Sequence, residues 1–375
     1  MIKMTDFIPV NDPLLDGNEK KYLNECIETG WISSEGPFVS QFEEKFAARI
    51  GRKYGVAVCN GSAAIDVAVA ALEIGSGDEV ILPTFTIISC VAAIVRAGAT
   101  PVLVDSDPVT WNMDVTQIEA KITSRTKAIM VVHIYGLPVD LDPVLAIADK
   151  YNLKIIEDAA QMHGQTYKGK PCGSFGDIST FSFYPNKHIT TGEGGMVLTD
   201  DARLAERCRS LRNLCFQSKK RFVHEELGWN YRMSNLQAAL GLAQLERLEQ
   251  FIEKKRRMGI RYTSMLGNIA DLQLPVSCTD YADNIYWVFG VVINPDIDMN
   301  ADQAIKKLAG KNIGARPFFF PMHEQPVFHK CKLFVDEKYP VAESLSKKGF
   351  YIPSGVALSD KQIEIVVNSM KGIFS

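Results

Sequence analysis

Two residues in the segment IIEDAAQMHGQTYKGKPCGSFGDISTFSFYPNKHITTGEGGMVLTDD could form a reactive pair, Asp158 and Lys187. Asp158 ends the apolar run KIIED. In open α/β sheets ligands sit beyond the carboxyl ends of the strands, so a carboxylate there can face a bound cofactor. Taken alone, it reads as the cap of a following helix. Lys187 follows ISTFSF and the turn YPN, and precedes ITTGEGGM, whose glycines permit tight bends close to a ligand. A lysine held in a semi-enclosed site loses its proton more readily than a free one with a pKa of about 10.4. The neutral amine is the form that Schiff-base chemistry requires. A lysine picked blindly is a solvated one. Ser62, in NGSAAIDVAVAAL, reads as a helix N-cap with Gly61 permitting the turn, and a helix start with free N–H groups is a ready phosphate site. The same pattern is common without a ligand. Phe85, in LPTFT, could stack on a flat ring or be core. His163, His188 and His323 are scattered without metal-ligand spacing and read as non-metal residues. No G-x-G-x-x-G follows the first strand and no G-x-x-x-x-G-K-[ST] occurs, which disfavours dinucleotide and P-loop chemistry.

These residues need a scaffold, and the surrounding pattern supplies one. Short apolar runs at 54–59, 79–83, 101–105, 126–134, 154–158, 178–183 and 195–199 read as strands buried on both faces. Helix-like stretches such as AAIDVAVAALEI, ISCVAAIVRAG and DPVLAIADKYN separate several of them. Such alternation predicts an α/β layer with one wide, seven-stranded, mostly parallel sheet. Residues 202–215 and 233–257 read as further helices, the second long and amphipathic. Beyond 258 the pattern changes to a strand at VFGVVINP, a helix at ADQAIKKLAGKNI and a closing helix at DKQIEIVVNSMKGIF. The expected division is a large domain over 1–250 and a smaller C-terminal α+β domain over 251–375.

Composition sets bounds on the reading. The chain has 375 residues, 46% hydrophobic and 23% charged, as in ordinary globular proteins. Its formal charge of −3 offers no electrostatic case for nucleic acid or an anionic membrane. The 8 cysteines form no C-x-x-C pair and read as reduced, buried thiols. The N-terminus lacks a signal-peptide core and no apolar run reaches membrane-spanning length, so a cytoplasmic protein is expected.

In order and spacing, GWISSEGPFVSQFEEKFA, NGSAAI, GDEVILPTFT, IIEDAAQ, FSFYPNKHITTGEGGMV and NYRMSNLQAALGLAQLE resemble the DegT/DnrJ/EryC1/StrS sugar aminotransferases. The resemblance covers nearly the whole chain. It implies the aspartate-aminotransferase-like architecture, pyridoxal-phosphate (PLP) fold type I, with pyridoxal 5'-phosphate as cofactor. By the same resemblance Lys187 is the Schiff-base lysine, and Asp158 pairs with the protonated pyridine nitrogen. Gln161 lies near the phenolic oxygen. Ser182 and the Gly61–Ser62–Ala63 turn hold the phosphate, and Phe85 stacks on the ring. Asn235 reaches the phosphate of a neighbouring subunit, which implies a homodimer with sites at the interface. Within the family, ARPFFFPMH at 315–323 is similar to members that convert GDP-4-keto-6-deoxymannose to GDP-perosamine, with glutamate as donor. That implies substrate contacts from Arg316, Phe319, His323 and His188, Arg316 toward the pyrophosphate. Two alternatives remain at this point. Related PLP-dependent 3-dehydratases carry histidine in place of the Schiff-base lysine, and Tyr184–Pro185 here resembles their pattern. A non-catalytic PLP-binding regulator is the other.

Overall fold

A computed structural model describes residues 7–217 and 220–374. The apolar runs become β1 (Tyr54–Val58), β2 (Glu79–Pro83), β3 (Thr100–Val104), β4 (Thr126–Val132) and β5 (Lys154–Asp158). A short hairpin, β6 (Thr166–Tyr167) and β7 (Lys170–Pro171), leads to β8 (Ile178–Ser182) and β9 (Gly195–Thr199). β1 to β5 with β8 and β9 form one seven-stranded sheet in the order β1-β9-β8-β5-β4-β2-β3. β9 runs antiparallel to both its neighbours, and the remaining pairs are parallel. Both faces of the sheet are covered, as continuous apolar strands require. One face packs on α3 (Gly61–Ala71), α4 (Ile88–Arg96) and α6 (Ala202–Arg212). The other packs on α1 (Glu19–Thr29), α2 (Pro37–Ile50), α5 (Leu141–Tyr151) and α7 (Asn235–Leu245).

The long helix expected over 233–257 is two helices, α7 and α8 (Leu248–Leu266). α7 starts with a capping box between Ser234 and Gln237. The chain bends at Arg247, whose φ is −116°. Tertiary contacts hold the bend: Glu246 accepts hydrogen bonds from Asn18 Nδ2 (2.7 Å) and Tyr22 Oη (2.6 Å), and Arg247 pairs with Asp16. None of these partners lies in the periodic segment, so periodicity alone could not reveal the break.

The smaller unit is an antiparallel sheet of β10 (Leu272–Gln273), β11 (Phe289–Ile293), β12 (Arg316–Pro317) and β13 (Gly349–Ile352), in the order β10-β11-β13-β12. α8, α9 (Ala301–Ala309) and α12 (Asp360–Phe374) complete its core. Two more helices, α10 (Pro326–Lys330) and α11 (Pro340–Lys348), follow β12; α11 packs on β11, β13 and α9, and side chains of both helices enter the apolar layer that holds α3 and α4. The N-terminal residues also sit with the small unit. Ile8 is in its core, and Ser354 N donates to Val10 O at 2.8 Å.

α8 meets the loop before β11 at Gly259. A Cβ on Gly259 would lie 2.2–2.5 Å from ring atoms of Tyr286, whose own backbone has φ 50°. In an open helix, Gly→Ala would stabilise by up to about 1 kcal/mol. Here the clash reverses the sign, and Gly259→Ala is expected to cost about 1–3 kcal/mol, read from the urea midpoint.

Candidate active site

The carboxyl ends of β4, β5 and β8 and the start of α3 open onto a cavity of about 560 Å³. Lys187 follows β8 through a turn in which Lys187 N donates to Tyr184 O at 2.9 Å. Its side chain is half-buried, and its amine has no hydrogen-bond or ion-pair partner among the described residues. Burial disfavours the ammonium, and the charge of Asp158 opposes this; the net effect lowers the amine's pKa to about 7.

Asp158 ends β5, directly across from Thr180 of β8. It is almost fully buried and its carboxyl is pushed up by that burial. The Ala160 N–H at 3.0 Å and the Cys90 thiol at 3.3 Å act against the shift, as does the charge of Lys187. Glu157 points to the opposite side of the strand. There it accepts from Phe175 N at 2.9 Å and meets His133 Nε2 at 3.0 Å. His133 Nδ1 accepts from Val139 N at 3.0 Å, so Nε2 is the protonated nitrogen. His133, Glu157 and Cys172 lie close enough to share an ion. Their hydrogen bonds instead brace β5 behind Asp158.

Gln161 lines the cavity. Its Oε1 accepts from Tyr135 N at 2.5 Å, which leaves the amide nitrogen as a donor. Tyr135 holds φ 56°, a left-handed conformation kept by that bond and by its packing between Phe319 and Trp287. At the other end, Gly61, Ser62 and Ser182 line the wall. A Cβ on Gly61 would lie 2.6 Å from Ser182 Cβ, so glycine is what lets α3 begin against the end of β8. Among the described residues the N–H groups of Gly61 and Ser62 meet no protein acceptor. They point positive dipole toward an anion. Thr180 Oγ1 and Asn186 Oδ1 are buried, lining the cavity, without partners. A reactive amine, a buried carboxylate, an amide donor and an anion cradle around one cavity fit a flat, phosphate-bearing pyridine aldehyde.

Several sequence expectations need correction. The cap of α3 is Asn60, whose side chain accepts from Ala63 N at 2.8 Å, and not Ser62. Ser62 Oγ bonds Ser89 Oγ at 2.6 Å. That cap also occupies Ala63's N–H, so Ala63 offers no phosphate contact and its side chain is core. Phe85 is fully buried behind the wall, packed edge-on to Tyr135 and Phe319, and does not reach the cavity. His188 turns away into the core, with Nε2 3.5 Å from Ile285 O; burial holds it far below the usual imidazole range. His323 is also buried, bonding Thr84 Oγ1 (2.8 Å) and Glu343 Oε1 (3.1 Å) through its two nitrogens, so neither imidazole can meet a sugar. Asn235 spends its amide inside its own chain. Oδ1 accepts from Phe38 N at 2.8 Å and Nδ2 donates to Trp31 O at 2.7 Å, clamping the α1–α2 loop. Phe319 does line the cavity. Arg316 stands exposed beside it, paired in register with the cavity-lining Tyr351, and forms no ion pair among the described residues.

Sequence reasoning passed over Thr180, Asn186, Trp287 and Tyr351. Asn186 adjoins the lysine and could have been found by proximity. Trp287 and Tyr351 lie in apolar runs of the small unit, where nothing distinguishes them from core.

The model of the DegT/DnrJ/EryC1/StrS aminotransferase family matches residues 13–371. The GDP-perosamine synthase of Escherichia coli O157:H7 is 42% identical over 369 residues, spanning 98% of this chain and 99% of the relative. That of Caulobacter vibrioides is 42% identical over 97% of each chain. The crystal structure of DesV from S. venezuelae superposes with a TM-score of 0.88 at 32% identity, covering 96% of this chain and 94% of that one.

The lowered pKa of Lys187 has a kinetic signature. Only the neutral amine adds to an aldehyde, and burial disfavours the charged form. Uptake of pyridoxal phosphate by cofactor-free protein is therefore expected to quicken about tenfold per pH unit below 7 and level off above about 8, followed by stopped-flow absorbance. An ordinary lysine would keep accelerating to about pH 10.

Proposed function

This chain belongs to the DegT/DnrJ/EryC1/StrS aminotransferase family, and from that premise we propose that it aminates GDP-4-keto-6-deoxymannose at C4, giving GDP-perosamine with glutamate as donor. It is a PLP-dependent sugar-nucleotide aminotransferase. The observation that carries the reading is the unpaired, burial-tuned amine of Lys187 in one cavity with Asp158. At the Schiff-base position lysine, and not histidine, faces that cavity, since the neighbouring His188 is turned into the core; this counts against a dehydratase. A complete set of reactive groups counts against a non-catalytic regulator.

When bound, pyridoxal phosphate supplies an aldehyde to carry the amino group and a ring to delocalise carbanion charge. The chain's residues do the rest. Asp158 is stranded as a buried anion unless a cation lies beside it, so it favours a protonated ring nitrogen. The Gln161 amide nitrogen is aimed to donate to an oxygen on the ring's rim. The Gly61 and Ser62 N–H groups and the hydroxyls of Ser182 and Thr180 can hold the phosphate end and fix the ring's tilt. Lys187, once its amine is free, is the base that takes a proton at Nζ and the acid that returns it. In the net exchange glutamate's amino nitrogen and the sugar's keto oxygen change places, one water being consumed as glutamate becomes 2-oxoglutarate and one released as the sugar is aminated.

Arg316, unpaired at the rim, suits the pyrophosphate of the sugar nucleotide, which a guanidinium grips with two parallel hydrogen bonds. Phe319 and Tyr351 give the sugar its walls. Homodimerisation is supported by exposed Trp31 and Ile32 in the α1–α2 loop and by Phe222 and Leu227 in the loop before α7. Asn235 contributes by holding the Trp31 loop in place. No described helix is long and apolar enough to cross a membrane. We place the enzyme in the cytoplasm, making an activated amino sugar for O-antigen lipopolysaccharide.

With GDP-4-keto-6-deoxymannose and ¹⁵N-glutamate, mass spectrometry should find one ¹⁵N in the sugar nucleotide. A product lacking the 3-hydroxyl and containing no new nitrogen would overturn the assignment. Arg316→Ala should raise KM for the sugar nucleotide roughly tenfold to a hundredfold, the effect of losing hydrogen bonds to a charged group, and leave the half-reaction with glutamate unchanged.

A further inference from the structure

Trp287 has no part in the chemistry above, yet its ring lies directly against the reactive amine. Lys187 Nζ lies 3.7 Å from the centroid of its ring. That ring is fixed by several neighbours. Its indole N–H donates to Asn186 O at 2.8 Å, one residue before the lysine. Its backbone carbonyl accepts from Lys255 Nζ at 2.8 Å, and Lys255, buried in α8, also donates to Ser354 O. Tyr135 packs beside it at 5.9 Å. The indole cannot swing aside without breaking its bond to Asn186 O.

The ionisable groups around the amine come from four places. Asp158 faces it from β5, His163 from the loop after β5, His188 from the next residue and Lys255 from α8. Burial keeps both imidazoles neutral, and Lys255 is of like sign. Of the two carboxylates among the described residues lining the cavity, Asp158 and Glu193, only Asp158's charge bears on the amine, and it forms no ion pair with Lys187 within 4 Å. A protonated amine here therefore has the π face of Trp287 as its closest source of stabilisation.

We propose that Trp287 is a positioning residue, the cation–π berth in which the Lys187 ammonium rests whenever it is not bonded to the coenzyme. The berth holds the proton-bearing nitrogen against the small-unit wall, within reach of the cavity, so that the proton returns from one fixed side. This rests on Lys187 being the Schiff-base lysine.

The test installs 5-fluoro-, 5,7-difluoro- and tetrafluorotryptophan at position 287 alone, by nonsense suppression in the full chain. Fluorine withdraws charge from the ring face and changes its volume little. The protein is loaded with pyridoxamine phosphate, which leaves the lysine amine free. The apparent pKa of Lys187 is then read by competitive acetylation and peptide mass spectrometry. It should fall stepwise with fluorine number, by about half to one pH unit in total. Trp287→Phe, a weaker π face of similar shape, should fall within the series. A pKa that stays constant across the fluorinated proteins overturns the berth. The parent assignment fails separately: it falls if Lys187→Ala still develops the visible absorbance of a Schiff base with pyridoxal phosphate.

Discussion

Burying an ionisable group without a partner is costly, and the site places two of them in one cavity. Asp158 and Lys187 each sit where water is scarce, and neither completes an ion pair with the other. The carboxyl is pushed up and the amine down, so both charges are poised to be claimed by a ligand that brings a proton to one and an aldehyde to the other. The parallel sheet exists, in functional terms, to maintain this arrangement. Its strands deliver Asp158 and Thr180 side by side at their carboxyl ends. The turn after β8 then returns the lysine over them.

The second requirement is that the small unit close one wall. It does so through backbone hydrogen bonds as well as side chains. Gln165 Nε2 donates to Gly136 O (2.6 Å) and to Asp283 O (2.8 Å), and Ile285 N donates to Gly136 O. Lys255 fastens the segment that carries Trp287. Two residues at this seam, Tyr135 and Tyr286, adopt left-handed backbone conformations. Strain of this kind persists only where surrounding contacts over-determine it, and here Tyr135 packs on the wall residues Phe319 and Trp287, while Tyr286 immediately precedes Trp287 in the chain.

Much of this was legible in the sequence, for a physical reason. Strands buried on both faces must be apolar at successive positions, so the seven runs reveal themselves within a residue or two, and Asp158 stands out at the end of one. Lys187 is legible because glycines and a turn surround it. What stayed hidden depends on partners far along the chain. Nothing local distinguishes His323, whose nitrogens are taken by Thr84 and Glu343, from a histidine free to meet a substrate. Asn235 looks available until Phe38 and Trp31 claim its amide. Asn60 and Ser62 are both good caps by type, and the position of the first helical turn decides between them. α1 and α2 left no strong periodic mark, and the bend at Arg247 follows from Asn18 and Tyr22, more than two hundred residues earlier.

The segment between β12 and β13 belongs by sequence to the small unit, yet Phe318, Met322, Phe328, Phe334, Tyr339 and Leu345 pack into the same hydrophobic layer as α3 and α4. The two units therefore share a core. The layer on that side of the large sheet stays open until residue 345 has left the ribosome, although every strand beneath it was synthesised long before. A nascent chain of this protein must carry an exposed apolar face until that residue emerges, and the large sheet's layer cannot close before then.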